Sequence, residues 1–269
     1  MTIETFLERT LRDAGSLLMT LFGHPLSGRL KADGSIVTNA DQESEALIRG
    51  RIAACFREDK FLGEETGWTS LDRSPMSHVF IVDPLDGSAN FAAGLSHFCI
   101  SIARAMVLPN GSLEVMAGGI FDPVHNKLYL ATRGGGAYLN GQRIKVRAGR
   151  PLPQALLATS IYPGRGEGLQ GDVACYGEIA ARCPTIRRTG ATALDLAMTA
   201  EGSFEGFFQF GMGVWDVAAG SLIASEAGCA VVNYCAEPGS RYDIERPSII
   251  AGSPEIVHEL ACLTARHYG

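Results

Sequence analysis

Two aspartates stand where an apolar segment ends, in the stretch IVDPLDGSANF that runs from Ile81 to Phe91. Asp83 directly follows the strand-like run HVFIV, and Asp86 comes three positions later. Asp-Pro and Asp-Gly are also ordinary turn formers, and a single instance of either indicates no more than a turn. A carboxylate at the buried end of a sheet, however, is costly unless it is paired or bound to a metal. The combination therefore favours a cation site.

The residues between the aspartates supply a further oxygen ligand. Pro84 restrains the turn and favours an extended backbone at Asp83. This geometry can leave the Leu85 carbonyl facing the same pocket as both side chains. Two carboxylates and a carbonyl form an all-oxygen ligand set, which suits Mg²⁺ rather than Zn²⁺.

The next residues are typical of a phosphate site. Gly87 permits close approach of another group, and Ser88, Ala89 and Asn90 can open a helix. A helix N-terminus presents free N–H groups and a positive partial charge, which favour a phosphate. The stretch thus predicts metal ligands followed immediately by a phosphate cradle.

Other acidic residues occur in similar settings. Glu64 and Glu65 follow Phe61-Leu62 at a glycine-marked turn, Asp216 lies in the first turn of a predicted helix, and Asp41 also lies at a helix start. Acids at helix starts are commonly explained by the helix dipole alone. Spacing by itself does not establish that these segments meet in space.

The first half of the chain, residues 1–150, is predicted to place two helices on a mostly antiparallel sheet. Helical spacing of apolar residues predicts an amphipathic helix at the start, and Thr38 with Asp41 forms a capping-box-like start to a second helix. Strand-like segments then dominate, and Asn140-Gly141 predicts a hairpin turn.

The second half, residues 151–269, alternates strands and helices, which predicts a sheet with helices on its faces. Its last helix is expected to have Ser253 at the N-cap and Pro254 at the first helical position. We therefore expect two layered α/β halves that divide near residue 150.

Composition excludes several classes of protein. The 269 residues carry a formal net charge of −6 and only scattered basic groups, so a nucleic-acid binder is not expected. The N-terminus lacks the apolar core of a signal peptide, and no apolar run approaches the ~20 residues needed to span a bilayer. The seven cysteines include no CxxC pair and mostly lie in apolar segments, so we expect reduced core thiols in a cytoplasmic protein.

Four motifs in order resemble those of the inositol monophosphatase family: KADGSIVTNAD (31–41), FLGEE (61–65), VDPLDGSANF (82–91) and GVWDVAAG (213–220). The likeness continues through GLSHFCISIA, GGGAYLNGQ and TGATALDLA, and so covers nearly the whole chain. Four motifs in register are far more specific than one. The resemblance implies a Mg²⁺-dependent, often lithium-inhibited phosphomonoesterase, built as a layered αβαβα sandwich and usually a homodimer.

The resemblance also implies residue roles. The implied metal ligands, for two or three Mg²⁺ ions, are Glu64, Asp83, the Leu85 carbonyl, Asp86 and Asp216. Of these, Glu64 and Asp83 share one ion with the carbonyl, and Asp83, Asp86 and Asp216 hold a second, weaker ion. Ser88 replaces the usual threonine but keeps the hydroxyl that, with Glu64, positions the attacking water. The Gly87 and Ser88 amides hold the phosphate, Asp41 lies near the metal cluster, and Lys31 lies over the site. Glu65 is expected behind the ligands, and Asp86 and Asp216 also face the substrate.

The substrate is less closely defined. Inositol-selective members carry a glutamate seven residues before the last aspartate, where this chain has Gln209, whose amide can still bind polyol hydroxyls. The backbone at Ala191 and Thr192 is expected to line the same pocket. Inositol monophosphate or a similar small sugar phosphate ranks first and histidinol phosphate second. Fructose bisphosphate and nucleotide bisphosphates rank third, because no basic cluster is assigned to a second phosphate. His97 is expected to be structural, and a non-catalytic scaffold is the alternative from another class.

Overall fold

The structure is a computed structural model that describes residues 1–24, 28–30, 36–70, 73–160, 169–237 and 239–268. Within these ranges the strands are β1 (Gly28–Leu30), β2 (Ile36–Thr38), β3 (Lys60–Gly63), β4 (Gly67–Trp68), β5 (His78–Asp86), β6 (Cys99–Val107), β7 (Leu113–Asp122), β8 (Lys127–Thr132), β9 (Gly136–Leu139), β10 (Gln142–Arg143), β11 (Leu157–Ser160), β12 (Ile186–Arg188), β13 (Gly206–Phe210), β14 (Ala230–Val232) and β15 (Ser248–Gly252). The helices are α1 (Ile3–Leu21), α2 (Asn39–Cys55), α3 (Ser88–Ala92), α4 (Leu169–Arg182), α5 (Thr192–Ala200), α6 (Val214–Glu226) and α7 (Pro254–Tyr268).

The larger sheet has eight strands in the order β10-β9-β8-β7-β6-β5-β3-β4. Every neighbouring pair is antiparallel except β3 and β5, which run parallel. The ladder between β5 and β6 shifts its register between Asp83 and Asp86, so Pro84 and Leu85 lie outside regular pairing. This irregularity re-aims the side chains at the end of β5, which is a common use of a bulge.

The smaller sheet has five strands in the order β12-β11-β13-β15-β14. β11 runs parallel to both β12 and β13, whereas β15 is antiparallel to β13 and β14. β1 and β2 form a separate two-stranded antiparallel pair. The first sheet therefore uses strands from residues 60–143 and the second uses strands from residues 157–252.

Three apolar clusters hold five layers together. The first lies between α1, α2 and the larger sheet, the second lies between the two sheets around α5 and α6, and the third lies between the smaller sheet and helices α4 and α7. Neighbouring residues on a strand divide between clusters: Phe80 faces α1 and α2 whereas Ile81 faces α5 and α6. Both faces of the strand are buried, which explains the continuous apolar run HVFIV. The result is the αβαβα sandwich that the family resemblance implies.

Several local predictions are confirmed. Thr38 is the N-cap of α2, with its capping box to Asp41 complete. Asn140 and Gly141 both have positive φ, 49° and 79°, as a two-residue hairpin turn requires. Ser253 Oγ accepts a hydrogen bond from the Ile256 N–H at the start of α7. The predicted boundary near residue 150 stays a prediction.

Other expectations need correction. Apolar spacing in the sequence of α2 predicts a buried stripe of Leu47, Ile48, Ile52, Cys55 and Phe56, but Cys55 is exposed. After Ala40, the buried face of that helix carries the polar side chains of Asp41, Ser44 and Glu45, and it becomes apolar again at Ile48 and Ile52. Helix α4 was not predicted, because glycines at 171 and 177 interrupt its pattern.

The cysteines also differ from expectation. All seven, which lie within the described ranges, are free thiols. Four are buried, but Cys55, Cys235 and Cys262 are exposed rather than in the core. Among the helices of the described residues, none combines the length and apolar character needed to cross a membrane.

Candidate active site

Three carboxylates from two elements converge at the end of β5. Asp83 and Asp86 are buried, with 1% and 5% of their surface exposed. Asp216 lies in the first turn of α6, where its Oδ2 accepts a 2.6 Å hydrogen bond from the Gly213 N–H. One carboxylate oxygen of each residue lies within 4.8 Å of the others. An all-oxygen set this close suits a hard divalent cation such as Mg²⁺.

The electrostatics of Asp83 point the same way. Burial raises the pKa of the Asp83 carboxyl well above its usual range. The charges of Glu64, Asp86 and Asp216 raise that pKa further, although a hydrogen bond from the Leu85 N–H opposes them. Like charges gathered in a buried site destabilise one another unless a proton or a cation neutralises them. The residues present therefore fit a bound Mg²⁺ ion.

Asp86 connects the end of β5 to the start of α5. Its Oδ1 accepts from the Thr192 N–H at 3.1 Å, and its Oδ2 accepts from Ala193 at 2.7 Å and Leu194 at 3.2 Å. Burial, as the largest influence, raises the pKa of Asp86 to about 7, although the Leu194 N–H opposes it. The helix N-terminus thus fixes the orientation of this carboxylate.

Ser88 and Asp41 form a hydrogen-bonded pair beside the acidic cluster. Ser88 Oγ lies 2.6 Å from Asp41 Oδ1 and 3.0 Å from the Leu85 carbonyl oxygen, so its single proton has two possible acceptors. The Thr38 N–H and hydroxyl both donate to Asp41 Oδ2, each at 2.7 Å. Asp41 therefore caps α2 and also receives the Ser88 hydroxyl. A serine that donates its proton in this way keeps lone pairs that can accept a hydrogen bond from water.

Gly87 occupies a position that excludes a side chain. It has φ of 89° and is the N-cap of the short helix α3. An added Cβ would lie 3.0 Å from the His97 carbonyl oxygen and 3.2 Å from Ala191 Cβ. Both the left-handed backbone and this close approach require glycine.

Glu64 reaches the site from the neighbouring strand. The β3–β5 register pairs Gly63 with Val82, and the Glu64 N–H donates to the Val82 carbonyl at 3.1 Å. Glu64 is not one of the three acids within 4.8 Å, but its charge contributes to the raised pKa of Asp83. The N–H of the next residue, Glu65, donates to Glu45 Oε2 at 3.0 Å.

The predicted substrate residues form a second group near Asp86. Thr192 connects the two groups, since its N–H donates to Asp86 and its hydroxyl donates to Gln209 Oε1 at 2.8 Å. Gln209 is only 1% exposed, and its Nε2 has no hydrogen-bond partner among the residues described. Ala191, the N-cap of α5, is fully buried. Lys31 lies outside the described residues.

Several residues near the site were not predicted. Cys99 Sγ lies 3.5 Å from Asp86 Oδ2, and Ser44 and Glu45 contact the turns that carry the acids. His97 Nε2 lies 3.0 Å from Asp195 Oδ1, so the histidine expected to be structural is paired with a buried aspartate. The sequence does carry a signal for Ser44 and Glu45. Positions 41, 44, 45, 48 and 52 have the helical spacing of a single buried face of α2, although the residues at the first three positions are polar.

Comparisons with known proteins agree with this arrangement. A model of the inositol monophosphatase family matches residues 2–269. The chain is 36% identical over 251 residues to the Nus factor SuhB of Escherichia coli K12, covering 93% of this chain and 90% of the relative. Among solved structures, the extragenic suppressor protein suhB from Bartonella henselae is 32% identical, with a TM-score of 0.86 and 97% of each chain covered. The IMPase of Thermotoga maritima is 28% identical, with a TM-score of 0.84, covering 98% of this chain and 97% of that one.

Proposed function

The chain belongs to the inositol monophosphatase family, and from this premise we propose that it is a Mg²⁺-dependent phosphomonoesterase acting on inositol monophosphate or a similar small polyol phosphate. The observation that carries the proposal is the convergence of Asp83, Asp86 and Asp216, whose carboxylate oxygens lie within 4.8 Å of one another. Glu64 and the Ser88–Asp41 pair adjoin this cluster. A structural cluster of acids would need cationic side chains to offset its repulsion, whereas a metal site would not.

The proposed ligands divide into two sets. Of the two or three Mg²⁺ ions proposed, Glu64, Asp83 and the Leu85 carbonyl would hold one, and Asp83, Asp86 and Asp216 would hold another. When bound, the metal lowers the pKa of water and stabilises charge on the phosphate and leaving oxygens. The Asp86 carboxylate is fixed by α5 and the Asp216 carboxylate by Gly213, so both are oriented before any ion arrives.

The remaining residues align the reactants. Ser88 would donate its proton to Asp41 and accept a hydrogen bond from the attacking water, which Glu64 would hold on its other side. The Gly87 and Ser88 N–H groups would hold the phosphate, supported by the absence of a side chain at Gly87. Alignment of water and phosphorus for in-line attack is the larger part of what a protein contributes to phosphoryl transfer.

The preference for a polyol rests on Gln209 and the backbone at Ala191 and Thr192. Because Thr192 already donates to Gln209 Oε1, the Nε2 group is the part of the amide left to donate to a substrate hydroxyl. Asp86 and Asp216 would accept hydrogen bonds from the same sugar. An uncharged amide offers no ion pair to an amine, so histidinol phosphate ranks second. Fructose-1,6-bisphosphate and 3′(2′),5′-bisphosphate nucleotides follow.

A second candidate function comes from the name of the Escherichia coli relative, a Nus factor. In that case the chain would act by binding a partner, and its acidic cluster would be dispensable. A phosphatase assay separates the two functions: purified protein is incubated with inositol, histidinol, fructose and adenosine phosphates, with and without Mg²⁺. Mg²⁺-dependent release of phosphate, fastest from an inositol monophosphate, supports the proposal. No release from any ester by folded protein would favour the partner-binding function.

The resemblance also leads us to propose a homodimer, inhibition by lithium and a cytoplasmic location, without nucleic-acid or membrane partners. Sedimentation would measure the oligomer, and the same phosphatase assay with added LiCl would measure inhibition.

A further inference from the structure

Helix α2 presents a polar face to the protein interior. Asp41, Ser44 and Glu45 are 0%, 0% and 2% exposed, although they belong to the residue types most often found at surfaces. The three stand at positions i, i+3 and i+4 of the helix and therefore share a face. Below them the same face continues with Ile48 and Ile52.

Each polar residue on this face contacts a different segment of the candidate active site. Asp41 accepts from Ser88 Oγ. Ser44 Oγ donates to the Pro84 carbonyl at 2.8 Å, which fixes the turn between Asp83 and Asp86. Helix α2 thus contacts Ser88 and the turn that carries the Leu85 carbonyl. Through Glu45 it also contacts the turn that carries Glu64.

The Glu45 carboxylate fills the space beside Gly63. Its Oε2 accepts the Glu65 N–H at 3.0 Å and lies where a side chain on Gly63 would have to stand. Gly63 therefore has to be glycine so that the carboxylate can approach the backbone of the turn. Because Gly63 and Glu65 flank Glu64, the position of Glu45 constrains the backbone from which Glu64 projects.

Glu45 is also poorly suited to a purely stabilising role. Its other oxygen, Oε1, is buried and has no hydrogen-bond partner among the described residues. A half-satisfied buried carboxylate costs stability compared with an apolar side chain of similar size. A role at the site explains why a carboxylate occupies this position.

We propose that Ser44 and Glu45 are positioning residues that hold the Pro84–Leu85 turn and the Glu64–Glu65 turn so that their oxygens face the same cation. The inference rests on the proposed function only in taking Glu64 and the Leu85 carbonyl as ligands of Mg²⁺. Neither residue touches the substrate, and both act through the backbone of the two turns. Groups that orient metal ligands commonly change metal affinity by about 10- to 100-fold when removed.

The test measures binding of Mg²⁺ alone, by calorimetric titration of metal-free protein without substrate. Glu45→Leu removes the acceptor for Glu65 and is expected to weaken Mg²⁺ binding about tenfold. Glu45→Gln keeps an oxygen that can accept the same N–H and is expected to stay within about threefold of the unsubstituted protein. Glu43→Leu, at an exposed position on the same helix, is the matched control and should have no effect.

Stability is measured in parallel by thermal unfolding of the metal-free proteins. Glu45→Leu is expected to unfold at no lower temperature than the unsubstituted protein, because it removes a buried carboxylate with only one of its two oxygens hydrogen-bonded. Should Glu45→Leu fail to fold, Glu45→Gln and Ser44→Ala still test the idea, with Ser44→Ala expected to weaken Mg²⁺ binding several-fold. In an activity assay the half-saturating Mg²⁺ concentration should rise, whereas the substrate KM at saturating Mg²⁺ should not.

The outcomes are distinct. Unchanged Mg²⁺ affinity in Glu45→Leu and Ser44→Ala overturns the positioning role, whether or not the protein is a phosphatase. Equal weakening in Glu45→Leu and Glu45→Gln also overturns it, because charge rather than position would then be responsible. Mg²⁺ binding without hydrolysis of any ester would contradict the proposed function alone. Failure of the unsubstituted protein to bind Mg²⁺ would overturn both.

Discussion

Ser88→Ala gives a sharp test of how the site aligns water. The substitution removes an Oγ that lies 2.6 Å from Asp41 Oδ1 and 3.0 Å from the Leu85 carbonyl. No metal-binding carboxylate is altered, so the change isolates the hydroxyl. We expect kcat to fall while Mg²⁺ affinity stays nearly constant.

The expected fall in kcat follows from the hydrogen bond that the attacking water would lose with Ser88 Oγ. A hydrogen bond that involves a charged group contributes about 1.5–3 kcal/mol. Since about 1.36 kcal/mol of activation free energy corresponds to a tenfold change in rate, kcat should fall roughly 10- to 150-fold. Folding should also weaken by about 1–3 kcal/mol, because buried Asp41 loses a donor.

The assay is phosphate release from an inositol monophosphate at saturating Mg²⁺, with kcat and KM determined separately. Ser88→Thr keeps the hydroxyl and restores the residue usual in the family, so it should retain most of the activity. Calorimetric titration with Mg²⁺ checks that metal binding is intact. A Ser88→Ala protein with kcat within twofold of the unsubstituted protein would refute the assignment of Ser88.

Two further predictions concern charge at the site. The pKa of Asp86 is raised from 3.8 to about 7 in the folded protein, so the folded state binds more protons than the unfolded state between these values. The free energy of unfolding of the Mg²⁺-free protein should therefore fall as pH rises from about 4 to 7, by up to about 1.4 kcal/mol per pH unit from this group. Denaturant unfolding in EDTA at pH 5.5 and 7.5 measures this, and higher stability at pH 7.5 would count against the raised pKa. Gln209→Glu places a carboxylate at the proposed hydroxyl pocket and should raise the rate on histidinol phosphate relative to inositol monophosphate severalfold, with Mg²⁺ affinity changed less; an unaltered ratio of rates would remove Gln209 from the pocket.

Local patterns predicted much of the fold. The capping box at Thr38 and Asp41, the Asn140-Gly141 hairpin and the start of α7 depend on neighbouring residues, so they could be read directly from the sequence. The apolar run before Asp83 likewise identified a buried strand. These features need no knowledge of distant contacts.

The candidate site could be read only in part, because its contacts are long-range. The amides that hold Asp86 belong to residues 192–194, more than one hundred positions away, and no spacing rule relates the two. Family resemblance supplied the grouping of Glu64, Asp83, Asp86 and Asp216 instead. The polar face of α2 was missed because an apolar-periodicity argument assigns polar residues to the surface, and here Ser44 and Glu45 are buried against backbone groups.

The central claim is that the convergent acids hold Mg²⁺ for hydrolysis of a phosphate ester. The most direct measurement is the rate of phosphate release from an inositol monophosphate as a function of Mg²⁺ concentration, for the unsubstituted protein and Asp83→Asn. We predict saturable, Mg²⁺-dependent turnover in the first and loss of turnover in the second, because Asp83 would be shared between ions. Asp83→Asn protein that retains near-normal activity, or activity unaffected by EDTA, would contradict the claim.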